Sequence, residues 1–275
     1  MQTLTSNDGT RIAYDRAGDG PPLILVDGAL SSRSGSLNTP LAELLAPQFT
    51  VYTYDRRGRG DSGDTPPYAV EREIEDIDAL IDAAGGTAFV FGISSGAALA
   101  LDAAARHPAK VQKVAVYEPP FIVDDSRPPI QSDFPTRLQN LVATDRRGDA
   151  VKLFLTDGIR VPGFVVTLMS IMPMWKRMTS LAHTLPYDAS CMVGTQSGTP
   201  LPAERWATLS APALVVDGGK SPVTMRNGAK ALADLLPNAR YVTLPGQTHI
   251  VKPAVLAPVL GDFFAAQAEP GAQRP

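Results

Sequence analysis

The chain has 275 residues, with 25 Lys plus Arg against 28 Asp plus Glu, and a net charge of −3. Hydrophobic residues make up 44% and charged ones 19%, which suits one large domain, or one carrying an insertion, and excludes wholesale disorder. So small an acidic balance argues against a general phosphate-binding surface, and a single cysteine excludes a disulfide framework and a Cys-rich metal site. No run reaches the ~20 apolar residues of a membrane helix; the richest, 163–175, is broken at Pro173. The first twenty residues carry Asp8, Arg11, Asp15, Arg16 and Asp19 and nothing like a signal peptide. A soluble, cytoplasmic protein is expected.

Residues 3–6 and 11–16 read as short strands around the turn Asn7-Asp8-Gly9. Residues 23–26 form a continuous apolar run, the pattern of a strand buried on both faces, and similar runs follow at 49–54, 88–91 and 111–117. Between them Val70, Ile74, Ile77 and Ile81 recur at helical spacing, with Glu71, Glu75, Asp76, Asp78 and Asp82 predicting an acidic outer face. Residues 95–105 are almost wholly Ala, Leu and Gly, as in a buried helix.

This alternation predicts a parallel sheet covered on both sides. It stops after Tyr117, gives way to Pro-punctuated helical pieces with a Met cluster, and resumes with strands at 213–216 and 240–244 and helices at 225–236 and 254–266. The expected organisation is a core of residues 1–120 and 207–267, an inserted block of residues 121–206, and a loose tail over 268–275.

Gly92-Ile93-Ser94-Ser95-Gly96 lies between a predicted strand and the buried helix. A G-x-S-x-G pattern in that setting is a nucleophile elbow: a sharp strand-to-helix turn exposes the middle serine, and small neighbours make the turn possible. The Ser95 N–H, at the helix start, is placed to meet charge developing on a carbonyl oxygen. A serine hydroxyl needs a base. Of the three histidines, His107 reads as a helix cap and His183 falls in the inserted block. His249 follows the last strand in Leu244-Pro245-Gly246-Gln247-Thr248-His249, on the same sheet edge as the elbow, and is the candidate base.

The elbow at Ser94, the final-loop His249, and Asp55-Arg56-Arg57-Gly58-Arg59-Gly60-Asp61-Ser62 after the strand ending at Tyr54 together resemble the α/β-hydrolase superfamily, over nearly the whole chain. The resemblance implies an α/β fold with a mostly parallel central sheet flanked by helices and a helical cap insertion. It also makes the arginine-rich segment a structural loop rather than a nucleic-acid site.

Two positions depart from the family pattern. The loop after strand 213–216 reads Gly218-Gly219-Lys220-Ser221-Pro222, so Ser221 stands where the family carries its triad Asp. Glu118, ending strand 111–117, is the candidate replacement, because some relatives take their acid there and the order Ser94, Glu118, His249 is kept; Asp217 is a weaker candidate. In place of the family's His-Gly the chain has Asp27-Gly28-Ala29-Leu30. Asp27 is expected to turn away into a network with Arg33, Arg56 or the serines of 31–36, leaving the N–H groups of Ala29 and Ser95 as the oxyanion hole.

The expected activity is a serine esterase or thioesterase acting on a small, apolar substrate, without metal or organic cofactor. Ser94, His249 and Glu118 are its triad, and Leu30, Phe164, Met169, Met172 and Trp175 its substrate lining. The expected partner is a small molecule only, with no nucleic acid and no membrane, in a monomer or homodimer. A non-hydrolytic enzyme of the same fold, or a ligand receptor built on it, are the alternatives.

Overall fold

The computed structural model describes residues 1–266; the tail expected at 268–275 lies outside them. Eight strands, β1 (Gln2–Thr5), β2 (Arg11–Ala17), β3 (Pro22–Val26), β4 (Thr50–Tyr54), β5 (Ala88–Ile93), β6 (Val111–Tyr117), β7 (Ala213–Gly218) and β8 (Ala239–Leu244), form one sheet in the order β1-β2-β4-β3-β5-β6-β7-β8. β2 runs against both its neighbours, and the remaining pairs are parallel. The apolar runs of β3, β5, β6 and β7 are buried along almost their whole length, as strands covered on both faces must be.

The first four helices are α1 (Asn38–Leu45), α2 (Val70–Ala83), α3 (Ser95–Arg106) and α4 (Phe134–Ala143). Then come α5 (Arg147–Leu153), α6 (Gly163–Met169), α7 (Met174–Leu181), α8 (Leu185–Cys191), α9 (Val223–Leu235) and α10 (Pro253–Ala265). α2, α3 and α9 cover one face of the sheet and α1 and α10 the other. α1 has no counterpart in the sequence reading: eight residues interrupted by Pro40 give too short a periodic signal. α3 is apolar all round because the sheet packs against one side of it, and Cys191, Met192, Leu201 and Trp206 close over the other. Helices α4 to α8 lie between β6 and β7 in the chain and share an apolar cluster centred on Leu138, Val151, Leu155 and Leu185.

The outer face of α2 is not uniformly acidic. Asp76, expected outside, is buried, as is Glu73. The reason lies in the arginine-rich loop: Arg56 makes two 2.6 Å bonds to Glu73, and Arg57 binds Asp76 at 2.7 and 2.8 Å. Buried guanidinium groups need carboxylates brought in with them.

The strand order reverses at β3, which has β4 on one side and β5 on the other. A crevice opens at the carboxyl ends of the strands at such a switch point. The register aligns Val26 with Gly92, Ile93 with Tyr117, and Tyr117 with Val216. The residues that follow these strands, from Asp27, Ser94 and Glu118 onward, therefore stand side by side along one edge.

Candidate active site

Ser94 joins β5 to α3 with φ 56° and ψ −126°. The turn is possible because nothing larger than glycine fits on either side. A Cβ on Gly92 would lie 2.7 Å from the Cα of Ala97, and one on Gly96 would lie 2.5 Å from the carbonyl oxygens of Val26 and Asp27. The Ser94 N–H donates to the Tyr117 carbonyl at 3.0 Å, and its own carbonyl accepts from the Ala97 N–H at 2.9 Å. Five described non-glycine residues have positive φ, and Leu30, Ser94 and Glu118 are three of them. Backbone strain is thus concentrated at this edge, as it commonly is at functional sites.

His249 and Glu118 meet. The imidazole Nδ1 lies 2.8 Å from Glu118 Oε2, and Glu118 Oε1 accepts the Gly218 N–H at 2.7 Å. Glu118 is fully buried, while His249 is open on one side. From the end of β6 the glutamate reaches across to the end of β7, the place the family's Asp would occupy. Ser221 sits in that loop with its hydroxyl buried and no hydrogen-bond partner among the described residues. Asp217 is turned elsewhere, accepting the Tyr241 hydroxyl at 2.6 Å. The loop carrying His249 is pinned: the Tyr117 hydroxyl donates to the Thr248 carbonyl at 2.7 Å, and the Lys220 N–H donates to the Gln247 carbonyl at 2.8 Å.

Ser94 and His249 line one cavity of about 550 Å³. Ala29, Leu30 and Ser95 line it too. A Cβ on Gly28 would lie 2.9 Å from that of Ser94, so β3's terminus and the elbow are in contact. Ser95, the first residue of α3, has no intrahelical acceptor for its N–H.

The expected lining from the inserted block is largely displaced. Phe164 is 79% exposed and Met172 45% exposed, while Met169 and Trp175 pack into the inserted helices' own apolar cluster. None of the four lines the cavity. The short helices α6 and α7 and the turn between them place these side chains outside or inward on the cluster, which a composition count does not capture. Met178 does line the cavity, with Phe134, Phe154, Leu155, Ile159 and Met192. Phe154 and Leu155 belong to a π-helical turn, Phe154–Gly158, that continues α5 and is a recurrent device at functional sites.

One residue carried no signal in the sequence. Asp188, on α8, is 2% exposed and lines the cavity. It accepts the Ser95 hydroxyl at 2.7 Å, Arg56 Nη1 at 2.7 Å and Arg59 Nη2 at 2.9 and 2.8 Å. Burial pushes its carboxyl up, but the guanidinium groups of Arg59 and Arg56 outweigh this and hold it below the ordinary carboxylate range. His183 is structural here, its Nε2 2.6 Å from the Gly58 carbonyl.

Of the partners expected for the Asp27 side chain, the serine stretch supplies one and the arginines make no hydrogen bond to it. Arg33 binds Asp55, Asp15 and Asp61, and Arg56 binds the Asp27 carbonyl instead of its side chain. Ser36 hydrogen-bonds the carboxyl, and Arg59, Arg56 and Asp55 act on it through their charge alone. Burial pushes that carboxyl up to about 7 against the opposing effects of Ser36, Arg59 and Arg56.

Against known proteins, a sequence profile of the alpha/beta hydrolase family matches residues 23–259. The structure superimposes on an alpha/beta hydrolase from Sphaerobacter thermophilus DSM 20745 with TM-score 0.87 and 59% identity, over 96% of this chain and 100% of that one. An enol-lactonase from Burkholderia xenovorans LB400 shares the fold, with TM-score 0.69 and 21% identity over 96% and 100% of the two chains. The uncharacterized hydrolase YraK of Bacillus subtilis (strain 168) is 36% identical over 126 residues, a match spanning 42% of this chain and 46% of that protein. The chain belongs to the alpha/beta hydrolase family. Family membership supports a hydrolase. No helix among the described residues is long and apolar enough to cross a membrane.

Proposed function

We propose that this protein is a serine hydrolase that cleaves a small, apolar ester or thioester through an acyl-enzyme intermediate. The observation that carries the reading is the 2.8 Å contact between His249 Nδ1 and Glu118 Oε2, made where His249 and Ser94 face one cavity. With Nδ1 held by the carboxylate, Nε2 is the nitrogen free to take a proton.

In the first half-reaction the Ser94 hydroxyl attacks the substrate carbonyl while His249 takes its proton. The oxyanion is met by the N–H groups of Ala29 and Ser95, and the imidazolium is stabilised by Glu118. Collapse of the tetrahedral intermediate breaks the bond to the leaving alcohol or thiol, which receives the proton from His249. In the second half-reaction His249 deprotonates water, which attacks the acyl carbonyl and releases the acid and free Ser94. The strained φ of Ser94 supports this role, since a residue in an ordinary helix cap has no need of it. The apolar wall formed by Leu30, Phe134, Phe154, Leu155 and Met178 supports an uncharged, apolar substrate.

Inserted helices α4, α7 and α8 roof the cavity in this reading and act as a cap. A fluorophosphonate, which reacts only with an activated serine, should label Ser94, and Ser94→Ala should abolish both labelling and turnover of p-nitrophenyl esters. Unlabelled wild-type protein, or turnover that survives in Ser94→Ala, would end the proposal.

A further inference from the structure

In the hydrolase reading the oxyanion is met by the Ala29 N–H, which belongs to the same peptide as the Gly28 carbonyl. That peptide is trans, so its N–H and its carbonyl point in opposite directions, and whatever holds the one aims the other. Arg59 Nη1 donates to the Gly28 carbonyl at 2.6 Å, from a side chain that is buried. Gly28 and Ala29 line the cavity and Arg59 does not. The guanidinium therefore stands behind the loop, and the N–H on the far side of the peptide points into the cavity. It has no acceptor among the described residues. Ser94 is next to it, since a Cβ on Gly28 would lie 2.9 Å from that of Ser94.

Such a peptide needs holding. The closeness of Ser94 demands glycine at position 28, and glycine leaves the backbone free to rotate. Flipped, the peptide would aim its carbonyl oxygen at the developing oxyanion and oppose it. The loop is not fixed by its own preferences either, because Leu30 follows at φ 56°. A hydrogen bond from a guanidinium is stronger than one from a neutral donor, and by polarising the amide it makes the N–H a better donor in turn. Arg59 is itself held by the inserted block: its Nη2 lies 2.9 and 2.8 Å from the two Asp188 oxygens, and Asp188 also accepts the Ser95 hydroxyl at 2.7 Å. One carboxylate on α8 thus grips both sides of the hole, the Ala29 side through Arg59 and the Ser95 side directly. Arg56 holds the preceding peptide, donating to the Asp27 carbonyl at 3.2 Å, but that peptide carries the Gly28 N–H.

We propose that Arg59 is a positioning residue for the oxyanion hole: its bond to the Gly28 carbonyl aims the Ala29 N–H at the oxyanion, and Asp188 on α8 holds the guanidinium in place. The inference deepens the hydrolase reading of Ser94 and rests on it. It gives the arginine-rich loop a part in turnover as well as in structure. Charge on the carbonyl oxygen develops only as Ser94 attacks, so a misaimed N–H weakens the transition state more than the bound substrate. Loss of the clamp is felt in kcat and hardly in KM.

The test compares Arg59→Met and Arg59→Lys with wild type in p-nitrophenyl ester hydrolysis, with kcat expressed per site titrated by a fluorophosphonate so that misfolded molecules drop out. Arg59→Met should lose about 10–100-fold in kcat, less than the 10²–10³-fold that follows outright removal of a donor, with KM within about threefold. Arg59→Lys keeps a charged donor and should lose less. Affinity for an alkylboronic acid, whose adduct with Ser94 sets an oxygen in the hole, should fall in step with kcat. In the double variant Asp188→Leu with Arg59→Met an apolar pair replaces the ion pair; it should melt close to wild type and yet keep the low kcat, which a purely structural role does not allow. It also carries the comparison if Arg59→Met folds poorly. A kcat per titrated site within about threefold of wild type in these variants, or a loss carried by KM instead, overturns the proposal. Wild-type protein that neither takes the label nor turns over ester removes the hydrolase reading, and the positioning role with it.

Discussion

Replacing Asp188 by Ala tests whether the inserted helices are anchored to the site by charge. The side chain is buried and accepts four hydrogen bonds from three donors: one each from the Ser95 hydroxyl and Arg56 Nη1, and two from Arg59 Nη2. Arg56 keeps both bonds to Glu73 after the substitution. Among the described residues Arg59 makes no other ion pair and is left with hydrogen bonds to main-chain carbonyls. Breaking a buried pair from one side costs about 3–5 kcal/mol, because the remaining charge stays buried. The unfolding entropy of a globular chain is about 2.1 cal/mol/K per residue, so for 275 residues each kcal/mol corresponds to roughly 1.7 °C. Asp188→Ala should therefore lower Tm by about 5–9 °C, measured by scanning calorimetry. The double variant Asp188→Leu with Arg59→Met should recover much of the loss, since an apolar pair can replace a buried ion pair at little cost. A Tm within a degree of wild type for Asp188→Ala, or a double variant that falls by the sum of its parts, refutes the argument.

Further outcomes concern the triad, the cavity wall and pH. Glu118→Gln should reduce kcat by about 10³–10⁴-fold, as loss of the orienting carboxylate does in other triads, whereas Ser221→Ala should stay within about threefold, since the Ser221 hydroxyl contacts neither Glu118 nor His249; steady-state kinetics in which the serine variant loses more would reverse the assignment. Phe154→Ala should raise KM for a medium-chain ester, while Phe164→Ser, at an exposed position outside the cavity, should leave it unchanged, and a KM change in Phe164→Ser alone would show the wall to be wrongly drawn. Asp27 titrates near 7 in the folded protein and near 4 when unfolded. The folded state thus holds the extra proton between those values, and stability is lost as pH rises from about 4 to about 7. Asp27→Asn lacks this loss, so the stability of the variant relative to wild type should grow over that interval and then level off, as read by urea unfolding; a difference independent of pH would contradict the shifted titration.

Much of the molecule was legible because strong local patterns and tertiary demands agree. Apolar runs such as residues 23–26 and 114–117 can be satisfied only by burial on both faces, and they lie in β3 and β6 of the sheet. Gly92 and Gly96 around Ser94 announce a turn whose sterics exclude any Cβ. Composition gave no orientation for the short pieces of the inserted block, where seven- and eight-residue helices allow several phases. Phe164 on α6 and Met172 in the turn after it face outward, whereas Phe154 and Leu155 of the π-helical turn line the cavity.

Chain order named Ser94, Glu118 and His249 as candidates, since each ends or follows a strand at the same edge of a parallel sheet. Spacing in sequence could not decide that Glu118 reaches Gly218 and His249 together, because that depends on β6 and β7 being neighbours in register. Nor could it find Asp188, 129 residues from Arg59, or show that Asp27 is left without a side-chain partner for Oδ1. Short-range sterics and hydrophobic periodicity are properties of a local segment and can be read from it. The pairing of buried charges is settled by which distant segments the closed fold brings within about 3 Å, and that distance exists only in three dimensions.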